Sequence, residues 1–244
     1  MKKKLFILTL AVVLCLTITA CGKEKEEEKE NEEVETGENI HMVGGWETVL
    51  TDKQVGLEEA EIKIFNDAKE KYTGLKIEPV ALLGKQLVAG TNYMFLAKGT
   101  PVVQNPTTSY KIVVVYNDLQ GKSSITSVLD FDFSKYTNKN VDYNSNDVVG
   151  GWTVEAPGKL NVLDDEEVSS AWEKVTKTLT GMSYNPIAVV GKQLVSGTNY
   201  AVLCYGKAST NGNTEGVYLL TLYKDLEGKE EIISHAYINL ADFN

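Results

Sequence analysis

The sequence contains no arginine. All 24 basic residues are lysines, and 34 aspartates and glutamates outnumber them to give a formal net charge of −10. The planar guanidinium fork of arginine is the usual reader of phosphates and of guanine edges. An acidic chain without that side chain is a poor match for a polyanion, so we expect no nucleic-acid partner.

Cysteine is scarce as well. Of the three cysteines, Cys15 lies in an N-terminal leader and Cys21 directly follows it, so Cys204 is the one thiol in the region expected to fold and no disulfide framework is expected. Cys204 stands in the apolar stretch YAVLCYG and is most simply a small buried hydrophobe. A reactive thiol paired with His235 is the alternative, although the pair occurs in one half of the chain only.

Motifs for phosphate and metal binding are missing too. No glycine-rich phosphate loop and no zinc-type spacing occurs. Asp130 and Asp132 alternate with apolar residues, which predicts carboxylates on the solvent face of a strand. Four residues alternate as in a calcium loop but lack its glycine and its bidentate glutamate, and so predict a polar linker: Asp142, Asn144, Asn146 and Asp147. We therefore expect no catalytic residue, no metal and no cofactor, and favour a protein that is not an enzyme.

The chain begins with a secretory leader, residues 1–20. Lys2, Lys3 and Lys4 precede an apolar run, and small residues follow it, which is typical of a cleaved signal and too short for a comfortable membrane span. The ending ITAC resembles the bacterial lipobox, whose cysteine is acylated and becomes the new N-terminus. The resemblance implies a lipid on Cys21 that anchors the protein to the extracytoplasmic face of a bacterial membrane. An ordinary secretory signal with an incidental cysteine is the alternative.

An acidic segment, residues 21–41, follows the leader. From Lys23 to His41 it contains nine glutamates, three lysines and almost nothing apolar. Such a segment cannot bury enough surface to offset the entropy of ordering it, so we predict a disordered tether. A flexible chain of this length spans about 25 Å on average. An acidic interaction tail is the alternative reading.

The remainder of the chain is duplicated. The decapeptide GKQLVAGTNY at 84–93 returns as GKQLVSGTNY at 191–200, with nine of ten residues identical. VGGW at 43–46 returns at 149–152, and YNDLQGK at 116–122 returns as YKDLEGK at 223–229. Because three landmarks recur in the same order at a nearly constant offset, we predict two tandem domains, a first copy at 42–135 and a second copy at 149–244, joined by a polar linker at 136–148.

Each copy predicts one helix followed by strands. Apolar residues recur at three- and four-residue steps before Gly74 and Gly181, where we expect the two helices to end: Leu57, Ala60, Ile64, Ala68 and Tyr72, then Val168, Ala171, Trp172, Val175 and Leu179. Asp164 or Asp165 is the expected N-cap of the second helix. Strand-like segments rich in β-branched and aromatic residues follow. The predicted class is α+β, with one helix packed across an antiparallel sheet of about five strands in each copy.

The three landmarks together resemble the cystatin family, the reversible inhibitors of papain-like cysteine proteases. QLVAG is similar to the QxVxG loop of cystatins, VGG to their N-terminal trunk, and LQG to their second hairpin. The resemblance implies a wedge of trunk and two hairpin tips that fills a protease cleft without chemistry of its own. The residues implied as protease-binding are the trunks Val43, Gly44, Gly45 and Val149, Gly150, Gly151, the first tips Gln86, Leu87, Val88, Ala89, Gly90 and Gln193, Leu194, Val195, Ser196, Gly197, and the second tips Leu119 and Leu226.

The residues themselves support a binding face at the tips. Gly90 and Gly197 tolerate the positive φ that a tight hairpin needs. Leu87 and Val88 beside them have few charged neighbours, and exposed apolar side chains on a loop indicate a binding face. Trp46 and Trp152, which follow the double glycines, are expected to cover the core, although an exposed ring beside the trunk would suit a cleft or a sugar.

Two features depart from the cystatin pattern. Asp118–Leu119 and Asp225–Leu226 stand where cystatins have Pro-Trp, so we expect less contact area and a charge to desolvate at the second tip. The second trunk follows a linker and not a free end. Two other interpretations stay open: a non-inhibitory adhesion or ligand-binding module on the same fold, and a packing motif that was duplicated without ever binding a protease.

Overall fold

A computed structural model describes residues 44–49, 57–137, 151–154, 165–209 and 215–243. Residues His41–Asn244 form one compact unit. The predicted leader, Cys21, the acidic tether and the calcium-like segment lie outside the described residues. Among the helices within the described ranges, none combines the length and the apolar character needed to cross a bilayer.

The described residues of each copy fold into a short strand, a helix and four longer strands, each copy ending in a 3-10 turn. In the first copy these are β1 (Trp46–Thr48), α1 (Glu59–Lys69), β2 (Leu75–Val88), β3 (Gly90–Pro101), β4 (Ser109–Asn117), β5 (Ser123–Asp130) and the turn Phe133–Tyr136. In the second copy they are β6 (Trp152–Val154), α2 (Glu166–Thr176), β7 (Met182–Val195), β8 (Gly197–Ala208), β9 (Glu215–Lys224), β10 (Glu230–Ile238) and the turn Leu240–Phe243.

Two five-stranded sheets result, in the orders β1-β2-β3-β4-β5 and β6-β7-β8-β9-β10. Every pair of neighbouring strands is antiparallel. Because consecutive strands are joined by short hairpins, each strand pairs with its neighbour in sequence. The predicted α+β class and the order of elements in each copy are confirmed.

The second helix begins where the sequence predicts, the first begins after Leu57, and both helices end earlier than predicted. Asp165 caps α2, since its Oδ1 accepts the backbone N–H groups of Glu167 and Val168 at 2.9 and 3.3 Å. The expected ends at Gly74 and Gly181 are wrong: α1 ends at Lys69 and α2 at Thr176.

The last predicted turn of each helix is replaced by tighter hydrogen bonds. The N–H of Tyr72 donates to Lys69 O at 2.9 Å, and the N–H of Leu179 donates to Thr176 O at 3.2 Å. Three-residue steps of this kind close a helix and turn the chain toward the next element. Tyr72 and Leu179 therefore lie after the helices and are partly exposed.

The strands β2 and β7 are long and bent at matching positions. Each has 14 residues and two register shifts, the first beside Pro79 in β2 and beside Pro186 in β7. A proline cannot donate to the ladder, and a bulge bends the strand that carries it. The decapeptide lies in the straight portion beyond the second bulge, so most of it is strand and not loop.

The helix α1 covers one face of the first sheet. Phe65 of α1 is fully buried and meets Phe95 of β3 edge-on, with 5.1 Å between ring centroids. The cluster beneath the helix consists of buried residues from α1, β2, β3 and β4: Phe65, Ala68, Ile77, Leu82, Phe95, Ala97, Val113 and Val115. This is the packing predicted for one amphipathic helix on an antiparallel sheet.

The opposite face of the first sheet packs against the second copy. Met94 and Leu96 alternate with Phe95 along β3, are fully buried, and belong to a cluster that also contains Val202 and Leu203 of β8. The hydroxyl of Tyr205 donates to Leu82 O, and that of Tyr110 donates to Val189 O at 3.1 Å. Since side chains alternate between the two faces of a sheet, both faces are buried in each copy.

The two copies therefore share the cluster between their sheets, in a layer order of helix, sheet, sheet and helix, while the cluster beneath α1 is separate. The sequence predicted a core for each copy beneath its own helix and left the second face of each sheet unassigned. The proposed boundaries at 42–135 and 149–244 stay a prediction. Tyr136, assigned to the linker from sequence, is the last residue of the first 3-10 turn and stacks on Phe131 with 6.3 Å between centroids.

The 3-10 turn of each copy packs onto a glycine of the other. A Cβ built on Gly191 would lie 2.2 Å from Phe133 Cζ, and one built on Gly84 would lie 2.6 Å from Leu240 Cδ1. These two glycines open the two decapeptides, and Phe133 and Leu240 are likewise separated by 107 positions. The first residue of the repeated decapeptide is thus fixed by contact between the copies.

Candidate functional site

The three landmarks of the first copy meet at one end of its sheet, which we call rim 1: Gly44–Gly45, the β2–β3 tip (Leu87–Gly90) and the β4–β5 tip (Asp118–Lys122). β1 begins opposite Gln86, near the tip of the first hairpin. β3 and β4 place Thr91 opposite Asn117, so the two hairpins turn side by side.

The second copy builds an equivalent rim 2: Gly151, the β7–β8 tip (Leu194–Gly197) and the β9–β10 tip (Asp225–Lys229). Trp152 pairs with Gln193, and Thr198 pairs with Lys224. Three implied trunk residues, Val43, Val149 and Gly150, lie outside the described residues.

A tyrosine joins the two tips of each rim. The Tyr116 hydroxyl donates to Ala89 O at 2.5 Å, and the Tyr223 hydroxyl donates to Ser196 O at 2.5 Å. Only the backbone of position 89 or 196 is used, which explains why this one position of the decapeptide can differ between the copies. The tips are therefore held as a unit and not as independent loops.

The tip glycines have the conformation that the sequence predicts. Gly90 has φ +125° and Gly197 has φ +128°, in a region that side chains of L residues rarely allow. A Cβ on Gly90 would also lie 2.5 Å from Asn117 O, and one on Gly197 would lie 2.3 Å from Lys224 O. Glycine is thus required twice, for the backbone angle and for the close approach of the neighbouring hairpin.

The second tip of each rim is organised by its aspartate. Asp118 Oδ1 accepts the N–H groups of Gln120 and Lys122 at 2.9 and 2.8 Å. Asp225 Oδ1 accepts those of Glu227 and Lys229 at the same distances. This side-chain-capped turn supplies the rigidity that proline would otherwise give, and it directs the next residue, leucine, into solvent.

A glutamine and an asparagine brace the first tip across the hairpin. Asn92 Nδ2 donates to Gln86 Oε1 at 2.7 Å, and Asn199 Nδ2 donates to Gln193 Oε1 at 2.7 Å. Gln86 Nε2 in turn donates to Gly44 O at 2.9 Å, which ties the trunk to the first tip. These repeated polar residues position the rim, and Gln193 is itself buried.

A lysine, a tyrosine and a helix glutamate link each decapeptide to its helix. Lys85 Nζ lies 3.4 Å from Glu61 and 5.5 Å from the centroid of the Tyr93 ring. An ammonium over a tyrosine face is attracted by about 0.5–1 kcal/mol at an exposed site. The helix α1 is thereby fixed against the base of rim 1.

The equivalent group in the second copy is Lys192, Tyr200 and Glu167. Lys192 Nζ lies 3.8 Å from Glu167 and 5.1 Å from the Tyr200 centroid, and Lys224 Nζ donates to Glu167 at 3.1 Å. The Tyr200 hydroxyl first and Lys224 second lower the pKa of Glu167. Burial first, and then the neighbouring Glu167 carboxylate, raise the pKa of Tyr200.

Two identical residues of the decapeptide project into solvent. Leu87 is 56% and Val88 40% exposed, and their equivalents Leu194 and Val195 are 72% and 41% exposed. At the second tips Leu119 and Leu226 are the most exposed large apolar residues among those described, at 78% and 85%. Each rim therefore presents three large apolar side chains to solvent on a braced backbone.

The tryptophans beside the rims pack inward. Trp46 and Trp152 are half-buried against the shared core, as the sequence predicts for core-covering residues. Trp152 meets Phe133 edge-on with 5.5 Å between centroids. They support the rims from within the sandwich, so their rings are not the exposed platform considered from the sequence.

The two groups considered for catalysis, Cys204 and His235, have different partners. Cys204 is fully buried, burial raises the pKa of its thiol well above the ordinary value, and its Sγ contacts Tyr218 O at 3.5 Å. His235 is exposed and bonds instead to the Tyr184 hydroxyl at 3.2 Å. Each side chain thus has another partner, and the structure gives no support to a Cys204–His235 pair.

Asp130 and Asp132 both have structural partners, but only Asp130 lies on a strand: β5 ends at Asp130 and Asp132 caps the 3-10 turn that follows, so the predicted strand position of Asp132 is wrong. Asp130 is ion-paired with Lys111, and Asp132 Oδ1 accepts the N–H and hydroxyl of Ser134 at 3.2 and 2.6 Å. Within the described residues, no group of three or more His, Cys, Asp or Glu side chains could hold a metal ion.

Sequence reasoning missed several residues that position the rims: Tyr116, Tyr223, Asn92, Asn199, Glu61 and Glu167. A signal was available, because each recurs at an offset of 106 or 107 positions. Repetition alone does not separate a brace from a binding residue, since that distinction depends on whether the side chain faces the protein or the solvent.

No protein-family model matches the chain, and no curated protein matches its sequence.

Proposed function

We propose that this protein is a lipid-anchored bacterial surface protein with a cystatin-like fold that reversibly inhibits papain-like cysteine proteases through its rims. Each copy has the element order expected from the resemblance, and its trunk and both hairpin tips lie at one end of the sheet. The inhibitor contributes no nucleophile, acid or metal, and acts by filling a cleft.

The exposure of the repeated Leu-Val pair is the observation that carries this proposal. In the decapeptide, the glycines, lysine, glutamine, asparagine and tyrosine all contact other parts of the protein. Leu87 and Val88 face solvent in one copy, and Leu194 and Val195 do so in the other. A duplicated packing motif explains the residues that contact the protein. It does not explain the two exposed Leu-Val pairs, because exposed leucines contribute little to folding.

The energetics suit a reversible wedge. Full burial of a leucine or valine side chain is worth roughly 1.5–3 kcal/mol. The three apolar side chains at each rim are partly exposed in the free protein, so a cleft that covers them gains part of this free energy. Because the tyrosine clamp and the Asp118 turn hold the tips in place, little entropy is lost when they enter a cleft. Binding energy of this size supports inhibition without covalent chemistry.

At the second tip, burying the aspartate costs less free energy than the sequence suggests. The Asp118 carboxylate already accepts two backbone N–H groups, which offsets part of the cost of removing it from water. The leucine still supplies less contact area than tryptophan. We therefore assign the larger share of binding to the first tip of each rim.

The membrane anchor is part of the same proposal. The ITAC ending, the apolar leader and the acidic segment after it support a lipid on Cys21. Growth of the source bacterium with an alkyne fatty acid would label the wild-type protein, and Cys21→Ala would abolish the label. A label retained by Cys21→Ala would overturn the lipid assignment.

A titration of papain with residues His41–Asn244 tests inhibition. We expect a micromolar or tighter inhibition constant, raised at least tenfold by the double change Leu87→Glu and Leu194→Glu. The buried charge would have to lose water without a partner, which costs several kcal/mol. Leu129→Glu is the matched control, because Leu129 is 39% exposed, belongs to neither rim and lies near the end of β5 farthest from the Asp118–Lys122 tip.

Two results would count against inhibition. Failure of the wild-type protein to inhibit papain at micromolar concentration would overturn it. Equal inhibition by the rim variant and by Leu129→Glu would show that the rims are not the contact surface. Recovery from an envelope extract of a glycan or envelope protein that binds the wild type and not the rim variant would favour the adhesion alternative, motivated by Asp118 and Asp225 in place of proline.

A further inference from the structure

The two contacts between a 3-10 turn and a glycine fix the direction of one copy relative to the other. Gly84 lies five residues from the tip residue Ala89, or about 17 Å along β2. Leu240, which packs on Gly84, lies ten residues beyond the first residue of β10, or roughly 33 Å from the tip that precedes β10. The part of the second copy that lies beside rim 1 is therefore its far end.

The contact between Phe133 and Gly191 excludes an arrangement in which both rims point the same way. Phe133 lies ten residues beyond the first residue of β5, and it packs on Gly191, five residues from the tip residue Ser196. If both rims pointed the same way while Gly84 met Leu240, Phe133 and Gly191 would be separated by roughly 30 Å. They are in contact, so the two rims do not point the same way, and aligned packing of the two sheets then sets their strands in opposite directions.

The tyrosine hydrogen bonds between the sheets agree with this direction. Tyr110 bonds to Val189, and Tyr205 bonds to Leu82. Each of these residues lies on average about eight residues along its strand from the hairpin tip of its own copy, so both pairs lie midway between the rims. With the two sheets aligned, the four contacts place rim 1 and rim 2 at opposite ends of the sandwich, roughly 50 Å apart.

We propose that one chain binds two protease molecules at once, one on each rim, an inference that rests on the proposed inhibitory function. Both rims carry the same exposed leucine and valine at the first tip and the same leucine at the second. A single cleft cannot reach two surfaces at opposite ends of the protein.

Two bound proteases would not obstruct each other. A globular enzyme of about 200 residues has a radius of gyration of about 16 Å. The rims are roughly 50 Å apart and face away from each other, so each enzyme extends outward from its own end of the sandwich. The two sites are therefore independent, and occupation of one leaves the affinity of the other unchanged.

Light scattering on complexes with papain tests the stoichiometry. Papain with its catalytic cysteine alkylated cannot cleave the protein, and saturating amounts are added to residues His41–Asn244, which form one compact unit. We expect two papain molecules per wild-type chain. The pair Leu87→Glu with Val88→Glu should leave one bound, as should the pair Leu194→Glu with Val195→Glu, while all four changes together leave none and Leu129→Glu leaves two.

A distance measurement separates the arrangement of the rims from the identity of the partner. Spin labels on Leu119→Cys and Leu226→Cys, both highly exposed, report the separation of the tips, and the buried Cys204 stays unlabelled. We expect a separation of roughly 50 Å, and a value below about 30 Å would overturn the opposed rims.

The outcomes distinguish the two proposals. A saturated complex with one papain molecule, or loss of all binding from changes at one rim, overturns bivalent binding and leaves inhibition standing. Absence of papain binding by every form of the protein overturns the inhibitory function, and bivalent inhibition with it, whatever the label distance is.

Discussion

The ring of Phe133 occupies the space that a side chain on Gly191 would need. A Cβ there would lie 2.2 Å from Cζ and 2.4 Å from Cε2 of the phenylalanine. The φ of Gly191 lies outside the left-handed region, so the backbone would accept another residue. Glycine is present at this position because the other copy of the repeat packs against it.

Gly191→Ala should therefore destabilise the protein by about 1–3 kcal/mol, the usual cost of overpacking a core. Urea unfolding would measure it. Phe133→Ala removes the obstacle, so the double variant should be more stable than the sum of the two single changes predicts. Strict additivity would show that the two residues do not interact.

Gly90→Ala should cost more than Gly121→Ala. Both glycines have positive φ, but only Gly90 has a neighbouring hairpin within 3 Å of the added Cβ, while Gly121 has open space. Backbone strain alone costs about 1–3 kcal/mol. We expect Gly90→Ala to lower stability by at least about 1 kcal/mol more than Gly121→Ala in urea unfolding, because it adds a clash to similar strain. Equal losses would contradict the close approach.

Tyr116→Phe should loosen rim 1 without unfolding the protein. The variant loses the hydrogen bond to Ala89 O and keeps the ring, which costs about 1 kcal/mol. Tyr223→Phe is the matched change at rim 2. If the rims inhibit a protease, combining the two should raise the inhibition constant severalfold while the melting temperature falls by a few degrees. An unchanged inhibition constant would show that the clamp does not shape the binding surface.

Glu167 should make stability depend on pH in the acid range. Its pKa is lowered in the folded protein from an ordinary value of 4.5. The charged form is therefore favoured by folding, and this stabilisation is present above pH 4.5 and lost as the pH falls through the folded pKa.

We expect Glu167→Gln to be less stable than wild type at pH 7 and to lose less stability between pH 6 and pH 3. Because the carboxylate is partly exposed, the difference in unfolding free energy should be about 1 kcal/mol or less. Glu173→Gln, an exposed change on the same helix, controls for the loss of one negative charge. Thermal unfolding across that range makes the measurement. Parallel curves for Glu167→Gln and wild type would contradict the assignment.

Cys204 should resist thiol reagents in the folded state. It is fully buried, and burial raises the pKa of its thiol. In residues His41–Asn244 it is the one thiol, so Ellman's reagent should report none before unfolding and one in denaturant. Rapid reaction in native buffer would reopen a role for this residue as a nucleophile.

Local sequence patterns were enough to predict most of the secondary structure and the existence of two equivalent tips. Helical periodicity and a capping aspartate placed α1 and α2, and glycine at 90 and 197 marked the hairpin turns with positive φ. The repeated offset identified the residues that recur in both rims. These features depend on residues close together in the chain, where period and turn chemistry carry the information.

How the two copies meet, and where each repeated side chain points, depends on packing between segments that are distant in the chain. Continuous apolar runs such as YMFLA and YLLTL signal strands buried on both faces, but they do not identify what covers the second face. That cover is the other copy, positioned by contacts such as Phe133 with Gly191, 58 positions apart. Packing between distant segments depends on shape in three dimensions, so no local pattern fixes the opposed directions of the two rims.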